Sequence, residues 1–144
     1  MVHALLEIWR VLTPQGSLID LRPIHENPSL EVVTPAGRHV AGHVVDETGG
    51  VNDRAADEAM AGVVHLGHYI PKMRDSYEFA SYWDTMPGLL AHAREKWPGK
   101  LRLQPHLLDR ARHYIDESDG CSRLCLTNTI QLAVYQKQNS LQDQ

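Results

Sequence analysis

The sequence predicts an α/β fold with a small mixed sheet and helices on one side. Three observations carry this: an amphipathic helix that runs through a Pro-x-Gly turn into an apolar strand, two β-branched runs flanking a short turn, and three later stretches with apolar residues at helical spacing.

The elements follow in order. Leu5, Trp9 and Leu12 recur at i, i+4 and i+7, with Leu6, Ile8 and Val11 widening the stripe, so the chain opens on a helix. Thr13 before Pro14 disfavours helix, and Gly16 completes the stop. Residues 17–22 read as a strand ended by Pro23. Helix, turn and strand form the second half of a βαβ unit, and the expectation is that its first half is missing. Residues 30–33 and 40–45 flank Thr34-Pro35-Ala36-Gly37 and predict a hairpin. A helix capped by Asn52 or Asp53 is expected to run to about Tyr69, closed by Pro71. A third helical region opens near Asp75 with Phe79, Trp83 and Met86, is broken or restarted by Pro87, and continues through Leu89, Ala93 and Trp97. Pro105 opens a further helix with Gly120 as its cap. The last stretch, with Leu124, Leu126, Ile130, Leu132 and Val134, is extended, as a hairpin or one bent strand. We expect one domain over residues 1–137 and a frayed tail over 138–144.

Length and composition narrow the function classes. A chain of 144 residues leaves little room for two independent cores, and 42% hydrophobic with 22% charged residues fits a globular protein. Fourteen Lys+Arg against 18 Asp+Glu give a formal charge of −4, which argues against nucleic-acid and anionic-lipid binding. No run approaches a membrane span, and Glu7 and Arg10 interrupt any signal-peptide core, so a cytoplasmic protein is expected. Two cysteines make no disulfide framework.

The segment Ala4-Leu5-Leu6-Glu7-Ile8-Trp9-Arg10-Val11-Leu12-Thr13-Pro14-Gln15-Gly16-Ser17-Leu18-Ile19-Asp20 resembles a recurrent piece of class I S-adenosylmethionine (SAM)-dependent methyltransferases. There a helix ending in Arg-Val-Leu-x-Pro-Gly-Gly leads into the fifth strand of the sheet; here Gln15 replaces the first glycine. Residues 130–135 and Lys137 look like the last strand of such enzymes, and residues 24–120 correspond to the family's variable, acceptor-shaping region. The resemblance implies a truncated Rossmann-like methyltransferase half, lacking the N-terminal cofactor-binding half. No Gly-x-Gly occurs in the chain, so no cofactor-binding residue is carried over and SAM is implied by the resemblance only.

Each chemical candidate has a plainer alternative. Arg22 and His25, with Asp20 and Glu26 nearby, lie past the carboxyl end of the first strand, where ligands bind in open α/β sheets; they are the substrate-binding candidates. The plainer reading pairs Arg22 with a surface carboxylate and leaves His25 in a solvated loop. His39 and His43 lie four apart on a strand, about 13 Å, too far to share a zinc ion. His65 and His68 sit three apart on the expected helix, but no third ligand is evident. Cys121 and Cys125 lie too far apart on a strand for a disulfide. Tyr77, Tyr82, Trp83 and Trp97 either line an apolar pocket or pack a core. No catalytic residue or metal ligand is assigned.

The expected function is a methyltransferase-like protein unable to bind SAM alone; the alternative is a non-enzymatic homodimeric binding or assembly module. Partners are a second copy or a chain carrying the complementary half. The first strand's free edge and the helix face with Leu5, Trp9 and Leu12 are the expected contact surfaces.

Overall fold

The computed structural model describes residues 1–24, 26–48, 50–118 and 120–138. Among these the chain is mixed α/β, with four helices and a mostly antiparallel sheet of five strands. The order is α1 (Val2–Val11), β1 (Ser17–Pro23), β2 (Ser29–Thr34), β3 (Gly37–His43), β4 (Val45–Asp46), α2 (Val51–His65), β5 (Tyr69–Trp83), α3 (Met86–Lys96), β6 (Leu101–Arg102), α4 (Pro105–Asp116) and β7 (Arg123–Lys137). No helix among the described residues is long and apolar enough to cross a membrane.

The chain divides into two compact units interleaved in sequence: Met1–His25, Val51–Tyr77 and Ile130–Gln144 in one, Glu26–Gly50 and Glu78–Thr129 in the other. Each has its own buried cluster, although the length alone leaves little room for two. The long strands β5 and β7 account for this, because each contributes residues to both units.

In the first unit β1 pairs antiparallel with the end of β7, in register from Ser17↔Gln136 to Pro23↔Ile130. The expected mixed sheet therefore has no parallel neighbour at β1; its partner strand runs the other way. Met60, Val63, Tyr69, Ala133 and Tyr135 form the core, and Leu5, Leu6, Trp9 and Leu12 of α1 and its end pack against it. The helix face expected to be free is thus half-buried. Exposed apolar side chains also lie on β1, where Ile19 is 63% and Leu21 59% exposed. Buried Tyr69 donates its hydroxyl to the Leu5 carbonyl at 2.8 Å, and burial pushes the phenol's pKa up. Lys137 Nζ donates to the Leu12 carbonyl at 2.7 Å and lies 4.7 Å from the Trp9 ring centroid, fastening the last strand to the end of α1.

In the second unit β2 lies between β3 and the start of β7, antiparallel to both. The hairpin turns at Pro35-Ala36, as the β-branched runs predict. Leu30, Val32, Ala41, Leu124 and Leu126 from these strands meet Leu89 of α3 and Leu107 and Ala111 of α4. β4 and β6 form a separate two-stranded ribbon.

Several elements differ from expectation. The expected helix beginning near Asp75 is strand as far as Trp83, with Met86 opening α3: β5 takes up Tyr77, Phe79, Tyr82 and Trp83, aromatics that suit a pleated surface, and Phe79 and Trp83 only coincide with helical spacing. Pro71 lies inside β5, whose one partner among the described residues is β7, so its missing N–H falls on an edge strand. Pro87 starts α3 in its first turn, with Thr85 Oγ1 accepting the Gly88 N–H at 3.2 Å. α2 ends at His65, not near Tyr69, because Gly67 takes φ +77° while its N–H donates to Val64 and that of His68 to Val63. α4 is capped by Glu117, not Gly120. β7 is one continuous strand, and Gln138 after it is tied by its N–H to the His68 carbonyl. Residues 139–144 of the expected tail lie outside the described residues.

The turn between α1 and β1 explains its own sequence. A Cβ on Gly16 would lie 2.8 Å from the Thr13 carbonyl oxygen, to which the Gly16 N–H bonds at 2.9 Å, so a side chain there would break the turn. Gln15 holds φ +62°, a left-handed conformation that a residue with a Cβ adopts at a cost of ~1 kcal/mol or more. Gln15→Gly is expected to raise stability by about 0.5 to 1 kcal/mol, the relief of strain exceeding the added freedom of the unfolded chain. Urea unfolding of the two proteins checks this; an unchanged or lower midpoint contradicts it.

Candidate functional site

The pleat of β1 alternates half-buried Leu18, Asp20 and Arg22 with exposed Ile19, Leu21 and Pro23. Arg22 points its guanidinium at the start of α2. Nε donates to both Asp20 oxygens at 3.1 and 3.0 Å, and Nη1 donates to the Asp53 carbonyl at 2.9 Å. Nη2 donates to the Asp57 carboxylate. Its side chain is 16% exposed, so this cation is spent within the fold. Burial alone would lower its pKa, but the hydrogen bonds and charges of Asp57 and Asp20 outweigh that and hold it above the ordinary value.

Asp57 is shared, with Arg74 Nη2 3.9 Å from its carboxylate. It opens onto a cleft of about 610 Å³ whose walls include Met60, Val64, Met73 and Tyr135, with Lys72 and Arg74 also lining it. Neither Asp20 nor Asp57 is free to act as a base or to hold ribose hydroxyls, because Arg22 engages both. Next to Arg22 in the register, Gln131 buries an amide nitrogen that has no hydrogen-bond partner among the described residues, a local cost of ~1 kcal/mol or more.

The other candidates disperse. His25 lies outside the described residues. Exposed Glu26 accepts from Thr129 Oγ1 at 3.0 Å. His39 stacks on Tyr114 with ring centroids 5.1 Å apart, and both line a cleft of about 450 Å³ with exposed Cys121 and Glu117. His43 Nδ1 lies 3.2 Å from the Asn27 carbonyl. His65 closes α2, while His68 lies beyond it with its ring 5.0 Å from that of Trp9, so the two do not share a helix face. Cys125 is buried, with Sγ 3.4 Å from Thr127 Oγ1. Among the described residues no three His, Cys, Asp or Glu gather as metal ligands would. Tyr77 belongs to the first unit, Tyr82 accepts from Arg38 at 2.8 Å, and Trp83 and Trp97 meet edge to face at 5.8 Å.

Asp57 and Arg74 were not singled out from the sequence. One signal was available: Asp53 and Asp57 lie four apart and so project from one side of α2, a surface suited to a cation such as Arg22.

Compared with protein-family models, with characterised proteins and with solved structures, the chain finds no match.

Replacing Arg22 with Ala leaves Asp20, itself only 17% exposed, without its partner and unfastens β1 from α2. We expect a loss of about 2 kcal/mol, between the value of an exposed pair and that of a fully buried one. Urea denaturation measures it, and a loss below about 0.5 kcal/mol would mean that the cluster is ordinary surface charge.

Proposed function

We propose that this chain corresponds to the acceptor-side half of a class I SAM-dependent methyltransferase, a Rossmann-like piece that binds no SAM alone. One observation carries the reading. The two segments with the resemblance, α1–β1 and the end of β7, come from opposite ends of the chain yet pair strand to strand over seven residue pairs. What lies between them is largely a unit with its own core, as expected of a variable region that shapes an acceptor pocket. The turn adds support: the position where the family has its first glycine is held left-handed by Gln15.

The residues present do not fit SAM. The chain has no Gly-x-Gly loop to let backbone approach a ligand closely, and the acidic groups beside β1 are held by Arg22. No methyl-transfer step is therefore derived for the chain alone. Within this reading the chain's residues supply a scaffold and an acceptor-side surface, and proximity to a donor held elsewhere would carry the transfer.

The alternative, a homodimeric assembly module, is favoured by a different observation. β1 stands at the end of the sheet order, bonded to β7 on one edge, and carries exposed Ile19 and Leu21. Cross-strand Val134 and Leu132 extend this apolar face. In either reading the partner adds at β1, as a second copy or as a chain bearing the complementary half.

Calorimetric titration of the protein with SAM and with S-adenosylhomocysteine tests the first reading. No binding is expected up to about 1 mM ligand. Binding in the micromolar range would mean that the chain builds a cofactor site by another route, and the scaffold reading would be withdrawn.

A further inference from the structure

In the second unit, α3 and the turn that follows it enclose an open cleft of about 640 Å³. That lies within the range of small-molecule sites. Its wall is apolar: Leu90, Ala93, Trp97, Leu101 and Leu103. Trp97 is held in place rather than free to swing. Its backbone N–H donates to the Ala93 carbonyl at 3.0 Å, and its ring meets those of His92 at 5.1 Å and Trp83 at 5.8 Å.

The polar residues lining the cleft are Arg94, Arg102 and Glu47. Glu47 and Arg102 neutralise each other through a 2.6 Å pair. Arg94 makes no hydrogen bond or ion pair among the described residues. The cleft therefore combines an apolar wall with one uncompensated guanidinium, and a single negative charge balances it. Glu47 works against a dianion.

We propose that this cleft binds a small apolar carboxylate, with the acid on Arg94 and the hydrocarbon or aromatic body against Trp97 and the leucines. Arg94 is exposed, and its guanidinium offers a planar fork that matches a carboxylate, while the apolar wall beside it takes the ligand's body. This site stands apart from the methyltransferase reading, and its test contains no SAM, so either can fail alone.

The test is calorimetric titration of the full chain with four probes: 2-naphthoate, octanoate, 2-naphthylmethanol and 2-naphthylmethylammonium. At least one carboxylate is expected to bind at about 1 mM or tighter, with the ammonium compound at least about tenfold weaker than 2-naphthoate where that acid binds. Preference between 2-naphthoate and octanoate separates an aromatic from an aliphatic ligand. Arg94→Ala should weaken the carboxylate about tenfold while the alcohol changes by less than about twofold. Because Arg94 is exposed and bonds to nothing among the described residues, the variant should melt with the parent, so the lost affinity is not lost structure. The proposal is overturned by any of three results: neither carboxylate binds at its solubility limit, the ammonium compound binds as well as 2-naphthoate, or Arg94→Ala leaves carboxylate affinity unchanged.

Discussion

The pairing of β1 with the end of β7 is the contact on which the first unit depends. It joins the α1–β1 segment to the end of β7, far apart in the sequence. It also sets the pleat of β1. With Leu18 turned to the core, Asp20 and Arg22 face α2 and Ile19 and Leu21 face outward. A slip of one residue would reverse every one of these, turning Asp20 and Arg22 outward together and taking the guanidinium from Asp57. Lys137 and Gln138, one at the end of β7 and one after it, hold that register from the other side by bonding to the Leu12 carbonyl and the Trp9 indole.

The same geometry answers the question posed by Arg22. At the carboxyl end of a strand an arginine reads as a ligand group, and the position alone gives no reason to think otherwise. Its surroundings do: two carboxylates and a backbone carbonyl take up the guanidinium. Arg94 presents the reverse case. Nothing in its local sequence marks it, yet among the described residues it has no partner beside an apolar wall. Burial and partners, not strand position, separate a structural cation from one free for a ligand.

Much of the fold was legible where local signals agreed. The helix, Pro-x-Gly turn and strand at the start, the 30–43 hairpin, and the helix opened by Pro105 all stand as the pattern predicts. The failures came where two periods fit the same residues. Phe79 and Trp83 suit a helix by spacing and a strand by composition, and pairing with β7 decided for the strand. Gly67 ended α2 early through backbone conformation alone, separating His65 from His68. The candidate site was less legible still. Asp57, Arg74 and the Arg94 cleft depend on which residues tertiary folding brings together, and a single sequence carries no record of that.

The central claim is the proposal that β1, paired with β7 on one edge, recruits a second copy of the chain on the other. Light scattering on the purified chain at tens of micromolar tests it most directly, beside a variant with Leu21→Lys. A mass of twice the single chain, falling to one chain in the variant, is what an apolar strand edge predicts. A monomer for the parent protein would contradict self-association at β1.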